Sequence, residues 1–109
     1  METTIKSFVA TRIDSNLAVV KVVVADNLAY TTANGVESTT TKCSVAEDVC
    51  NEHIGCSLNL FGNGAFTDAR ALAIDLTKEL SGSKVTVENL ETTLDSGQVI
   101  RRWTIVKMN

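Results

Sequence analysis

The sequence predicts a single α+β domain over residues 1–109, with a largely antiparallel sheet of about five to six strands and one long and one short helix packed on one face. Two observations lead to this fold class. Short runs rich in β-branched residues are joined by turn-forming sequences, which is typical of antiparallel strands, and two stretches carry apolar residues at helical spacing. A chain of 109 residues with 44% hydrophobic residues also has the size of one domain with one core.

The first part of the chain has the pattern of strands. Residues 4–13 carry apolar side chains on one parity, and residues 17–25 are nearly all apolar, which predicts a central strand covered on both faces. The sequence at 14–16, Asp-Ser-Asn, suits a turn between them. Asn34-Gly35 is a strong hairpin signal, because both turn residues must accept a positive φ. The threonine-rich segment around it is expected to form a solvated edge or a projecting hairpin.

Two helices are predicted further along the chain. Ser44 and Glu47 have the spacing of a capping box that begins a short amphipathic helix over about 45–54. A longer helix is expected to begin near Thr67 and to end near Gly82. Its apolar residues recur at steps of three and four, namely Ala69, Leu72, Ala73, Leu76 and Leu80.

Three further strands are predicted at 56–61, 85–87 and 98–107. Between the first of them and the long helix, Gly62 and Gly64 match two glycines of a dinucleotide-binding fingerprint. A threonine stands at the third glycine position, and the remaining chain is too short for further βαβ units. A turn that leads into the helix is therefore the favoured interpretation.

Composition and charge exclude several classes of protein. Ten Lys and Arg residues against thirteen Asp and Glu residues give a net charge of −3, which is too mild for long-range attraction to duplex DNA or to an anionic membrane. No stretch approaches the roughly 18 apolar residues of a membrane span, and the N-terminus lacks the pattern of a signal peptide. The three cysteines are an odd number, so free thiols and a reducing, cytoplasmic location are expected.

All three cysteines and the only histidine fall within residues 43–56. If the predicted short helix forms, Cys43 is too far from Cys50 for both to bind one tetrahedral zinc, because seven helical residues span about 10 Å. Cys50, His53 and Cys56 remain a candidate three-ligand zinc site. Two alternatives stay open, namely cysteines packed in the core with His53 at a helix end, and a cysteine nucleophile paired with His53. No other cofactor is expected.

The last predicted strand combines basic and aromatic residues. Arg101, Trp103 and Lys107 share one parity, and Arg102 lies on the other. Arginine beside an exposed aromatic ring on a sheet can hold single-stranded nucleic acid by charge and stacking. The alternative is a tryptophan at the rim of the core with arginine stems stacked against it.

Three functional hypotheses follow from these patterns. The first is a small non-enzymatic protein that acts through a protein partner, as an inhibitor, regulator or adaptor, because no convergent set of acid, base and nucleophile is present. The second is a single-stranded nucleic-acid binder that uses the basic last strand. The third is a zinc-binding protein that uses the cysteine and histidine cluster. Self-association into a homodimer through an exposed strand edge is compatible with each of them, and no membrane partner is expected.

Overall fold

A computed structural model of the chain describes residues 1–12, 18–32, 34–50, 66–93 and 95–109. These residues form five strands and two helices. In chain order they are β1 (Glu2–Arg12), β2 (Ala18–Thr31), β3 (Glu37–Val45), α1 (Glu47–Val49), α2 (Phe66–Leu80), β4 (Lys84–Thr93) and β5 (Val99–Met108).

The five strands close into a barrel in the order β1-β2-β3-β5-β4, and β4 pairs back onto β1. All neighbours are antiparallel except β3 and β5, which are parallel. The α+β prediction is therefore wrong. The described part of the chain is a mostly stranded, closed barrel in which α2 is the one helix longer than a single turn, and not an open sheet with a long and a short helix on one face.

The barrel closes because its first two strands are long and bend. β1 has 11 residues and β2 has 14, and each carries a register shift, between Ile5 and Ser7 in β1 and between Val23 and Leu28 in β2. Such irregularities bend a strand and increase its twist. As a result β1 pairs with β4 over Glu2–Thr4 and with β2 beyond that point. Alternating hydrophobicity marks one buried face per strand, which is the same for an open sheet and for a closed barrel.

The interior of the barrel is filled by aliphatic side chains. Strand β2 is central, as predicted, because it pairs with β1 and with β3. Val20, Val22 and Val24 are buried on one face, whereas Lys21 and Val23 on the other are only half-buried, so the predicted cover of both faces is partial. The other residues with almost no exposed surface come from every strand and include Ile5, Leu28, Cys43, Val85, Val87 and Ile105.

Helix α2 packs against β1 and β2 on the outside of the barrel. It begins at Phe66 and ends at Leu80, close to the predicted bounds, and Gly82 follows with a φ of 88°. The predicted apolar stripe is confirmed, since its members are buried in the core or packed against it. On the opposite face of α2 Ile74 is exposed. The helix therefore covers one side of the barrel.

Of two predictions based on short sequence motifs, the hairpin turn at Asn34-Gly35 is confirmed and the helix cap at Ser44 is wrong. Gly35 has a φ of 80°, and its N–H donates to the Thr32 carbonyl at 2.9 Å in the turn between β2 and β3. Ser44, by contrast, lies in β3, and its hydroxyl accepts a hydrogen bond from Lys21, so it does not cap α1. The predicted turn at 14–16, the strand at 56–61 and the turn at Gly62–Gly64 lie outside the described residues.

Candidate functional site

The seam between β3 and β5 opens into a cleft. The two strands pair only at Ser44 with Thr104 and at Val45 with Ile105. Toward the N-terminal ends of both strands, β3 continues to pair with β2, and β5 continues to pair with β4. Because the two pairs of strands diverge beyond the short parallel ladder, the described residues leave a gap along one side of the barrel.

The cleft has a wide and a narrow part that are continuous. The wide part has a volume of about 1000 Å³ and the narrow part about 290 Å³, and Tyr30, Asn89 and Arg101 line both. The helices supply none of the described lining residues. The wide part is also lined by Ala29, Thr31, Thr32, Glu37, Ser38, Thr39, Gln98, Val99 and Ile100, and the narrow part by Thr11, Lys21, Thr40, Lys42, Cys43, Ser44, Arg102 and Trp103.

Two aromatic side chains lie in the cleft. Trp103, from β5, donates a hydrogen bond from its indole Nε1 to the carbonyl oxygen of Ala29 in β2, at 2.9 Å. This bond reaches across the cleft between two strands that are not neighbours in the barrel, and it restricts the orientation of the indole ring. Tyr30 is 38% exposed although it is a large aromatic residue. An indole held in this way and an exposed phenol ring can both stack against a planar ligand.

Cationic side chains gather around these rings. Lys21, Lys42, Arg101 and Arg102 all line the cleft, and Glu37 is the one carboxylate among its described lining residues. The local charge balance is therefore +3 in a chain whose net charge is −3. An excess of positive charge in a concave site attracts an anionic ligand, even though the chain as a whole is negatively charged.

Lys21 shows how closely the cations are placed. Burial lowers the pKa of its ammonium group, Arg102 and then Lys42 add repulsion, and Cys43 opposes them. The Nζ atom donates to the hydroxyl of Ser44 at 3.0 Å, which leaves its charge without a carboxylate partner in any hydrogen bond that the described residues show. An anionic ligand beside Lys21 would relieve both the repulsion and part of the loss of solvation.

Arg101 has a carboxylate neighbour. Its guanidinium lies 4.0 Å from the carboxylate of Glu91, with side-chain exposures of 65% and 57%. Ion pairs this exposed contribute little stability and are readily exchanged for another anion. Arg101 can therefore turn toward a ligand in the cleft.

Cys43 lies beneath the narrow part of the cleft and is a free, buried thiol. Burial raises the pKa of this thiol to about 11, and the nearby Lys21 ammonium opposes the rise. The thiol is therefore protonated at neutral pH and behaves as a small apolar side chain.

The structure brings three of the four predicted nucleic-acid residues together. Arg101, Arg102 and Trp103 line the cleft, whereas Lys107 is exposed opposite Thr86 and does not line it. Sequence reasoning missed the partners from other strands, namely Lys21, Tyr30 and Lys42. A lysine that interrupts a run of valines and a tyrosine in a polar hairpin were the signals that could have found them.

The structure describes only one of the three predicted zinc ligands. Cys50 is buried and disulfide-bonded, so in this form its sulfur is not a thiolate that could bind zinc. The expectation of free thiols is thus correct for Cys43 and wrong for Cys50. His53 and Cys56 lie outside the described residues, and the described residues hold no group of three or more metal-binding side chains. The three-ligand site stays a prediction.

Comparisons with known proteins do not indicate a function, so the functional argument depends on the cleft. No protein-family model, curated protein or solved structure matches the chain. In the part of the chain that the structure describes, no helix has the length and apolar character needed to span a bilayer.

Proposed function

We propose that this protein binds single-stranded nucleic acid in the cleft between β3 and β5. The observation that carries the proposal is a tryptophan held by a hydrogen bond across a cleft whose described lining has four cations and one carboxylate. Aromatic rings that stack on bases, combined with cations that follow the phosphates, are the usual means of binding single strands.

The division of the cleft suits the two parts of a nucleotide. The narrow part carries Lys21, Lys42 and Arg102 and would hold phosphates. The wide part is mostly neutral and has hydroxyl and amide groups, which suits unpaired bases and sugars. Trp103 lines the narrow part and Tyr30 lines both, so a base could stack where the two parts meet.

A single strand fits these groups better than a duplex. The faces of paired bases are already stacked within a double helix and are not accessible to protein rings, whereas unpaired bases can turn outward and stack on them. A net charge of −3 for the chain also disfavours the broad, non-specific attraction that duplex DNA needs. The charge is concentrated in the cleft instead.

The architecture supports the same proposal by analogy. The OB-fold is a five-stranded Greek-key barrel that binds oligonucleotides on the face of its second and third strands. Here the barrel also has five strands, and the cleft is lined from β2 and β3 on one side. Because one architecture serves many functions, the side chains in the cleft carry the proposal and the architecture only agrees with it.

The other predictions from the sequence remain untested. A protein partner and a homodimer are each compatible with the barrel, and among the described residues no specific contact surface favours one of them. The disulfide at Cys50 removes part of the support for a cytoplasmic location, which was expected from free thiols. Nucleic-acid binding is preferred because the cleft combines the charge and the rings that this function requires.

Intrinsic fluorescence offers a direct test, because Trp103 is the only tryptophan in the chain. Titration with a short single-stranded oligothymidylate should quench the fluorescence, and a duplex of the same length should bind much more weakly. If all four cleft cations contact phosphates, the logarithm of the association constant should fall with the logarithm of salt concentration with a slope of about −3.

A matched pair of variants completes this test. Arg102→Gln should weaken binding and reduce the salt slope, whereas Arg70→Gln, on the exposed face of α2, should change neither. The proposal would be contradicted if the affinity did not depend on salt concentration, if the duplex bound more tightly than the single strand, or if both substitutions changed the affinity equally.

A further inference from the structure

Asn89 occupies the junction between the two parts of the cleft. It lies in β4 opposite Trp103 of β5, and it lines both the wide and the narrow part. The other two residues that line both parts are Tyr30 and Arg101. A base that stacks at this junction would therefore have the Asn89 amide beside its edge.

The amide of Asn89 has an unused hydrogen-bonding atom. Its Oδ1 is buried and has no hydrogen-bond partner. Buried polar side-chain atoms are nearly always hydrogen-bonded, so an orphaned acceptor needs an explanation. Thr3 Oγ1 is the other such atom among the described residues, and it does not line the cleft.

The side chain can present this amide to a ligand. The terminal torsion of asparagine is soft, so a rotation of the carboxamide exchanges the places of its oxygen and its nitrogen. The residue as a whole is half-buried and lines both parts of the cleft, so a change of the side-chain torsions can bring one end of the amide to a ligand. Asparagine amides contact base edges by donating or accepting a hydrogen bond.

We infer that Asn89 selects among bases in the cleft, through a hydrogen bond between its amide and the edge of the base that stacks beside Trp103. The inference rests on the proposed binding of single strands. It adds that the protein distinguishes base types. Stacking and phosphate contacts alone distinguish them only weakly. Because the amide is neutral, Asn89 contributes to selectivity and not to the dependence on salt.

The experiment compares the affinities of oligoadenylate, oligocytidylate and oligothymidylate of equal length for the wild-type protein and for Asn89→Ala. The wild-type affinities should spread over roughly fivefold, which is the discrimination expected of one amide–base hydrogen bond. In Asn89→Ala the spread should collapse to within about twofold, and the salt slope should stay as in the wild type. Asn27→Ala, which removes an exposed amide of β2 that does not line the cleft, is the matched control and should keep the wild-type order.

The outcomes separate this inference from the proposed function. If the wild-type protein binds all three strands equally, or if the order of preference survives Asn89→Ala, the assignment of Asn89 is wrong while single-strand binding stands. An equal loss of affinity for all strands in Asn89→Ala would also overturn it, because that is the effect of a structural role. If the wild-type protein binds none of the strands, the proposed function fails and the inference fails with it.

Discussion

The barrel has two seams beside which a strand runs without a full-length partner, and they differ in what lies along the unpaired edge. At the first, β1 pairs with β4 only over Glu2–Thr4, and the end of α2 covers the edge beyond. Gly82 donates its N–H to the carbonyl of Ile5 at 2.8 Å, and the Thr77 hydroxyl accepts from the N–H of Phe8 at 2.8 Å. Backbone groups that lose a strand partner here are satisfied by the helix and its C-terminal turn.

At the second seam, β3 and β5 share only a two-residue ladder, and no described element covers the gap. Cationic and aromatic side chains line it instead of an apolar helix face. The comparison shows that α2 covers one seam, whereas no described element covers the other. Substitutions at the first seam should therefore affect stability, and substitutions at the second should affect binding.

The largest effect is expected in the covered seam. Leu76→Ala removes a buried side chain of α2, 4% exposed, and should lower the free energy of unfolding by about 2–5 kcal/mol through the cavity that it leaves. Ile74→Ala on the same helix, where the side chain is 48% exposed, should change it by no more than about 0.5 kcal/mol. Urea denaturation measures both. If Leu76→Ala, at a temperature where it is folded, also loses affinity for single strands, the two seams are not independent.

The next effect tests whether water is excluded from the Cys43 thiol beneath the narrow part of the cleft. The pKa of Cys43 is raised from 9.0 to about 11, so the folded state holds its proton when the unfolded state has lost it. The contribution of Cys43 to the free energy of unfolding is therefore fully present below pH 9. It decreases by roughly 2–3 kcal/mol in total as the pH rises from 9 to 11.

Unfolding of wild-type protein and of Cys43→Ala, measured between pH 8 and 11, isolates this contribution. The wild-type stability should fall with pH relative to that of the variant. Parallel profiles would mean that water reaches the thiol and that the floor of the narrow part is hydrated.

The third effect concerns stacking. Tyr30→Ala removes a ring that is 38% exposed, and it should weaken single-strand binding roughly fivefold to a hundredfold, the range found for the loss of one base–aromatic stack. Its effect on stability should be small, because the ring is not in the core. Tyr30→Phe keeps the ring and should bind nearly as well as the wild type. Fluorescence anisotropy of a labelled strand gives the affinities, and equal binding by Tyr30→Ala and the wild type would place the bases elsewhere.

The smallest effect concerns a single charge. Lys42→Gln should make the salt slope shallower by about 0.7, the value expected for one phosphate contact with a single strand. Lys78→Gln, in the last turn of α2, removes the same charge outside the cleft and should leave the slope unchanged. The slopes come from titrations at several salt concentrations. A similar change in both variants would indicate that attraction is spread over the surface and not concentrated at the open seam.

Sequence reasoning located several parts of the molecule correctly. The periodicity of Ala69, Ala73 and Leu76 placed α2 and its buried face, and Asn34-Gly35 placed the hairpin between β2 and β3. These features depend on neighbours within a few residues, so local patterns are sufficient to predict them. The capping box at Ser44 failed because its hydroxyl had a better partner, Lys21, from a strand more than twenty residues away.

The candidate site was predicted only in part for the same reason. Arg101, Arg102 and Trp103 are neighbours in sequence, and their combination of charge and ring was visible as a pattern. Tyr30 and Asn89 join them only because β2 and β4 lie beside the same opening. No spacing in the sequence links these residues, so their shared cleft could not be predicted.

The sequence by itself determined the approximate positions of β1, β2, β4, β5 and the main helix, and which of their faces are apolar, because these properties follow from side-chain volume, turn chemistry and hydrophobic period. Only the tertiary structure decided that the sheet closes into a barrel and that, among the described residues, β3 and β5 separate beyond a two-residue ladder. Closure depends on where β1 and β2 bend and on which edges the helix covers. These are long-range contacts, and their free energy depends on the whole arrangement of strands and not on any one segment.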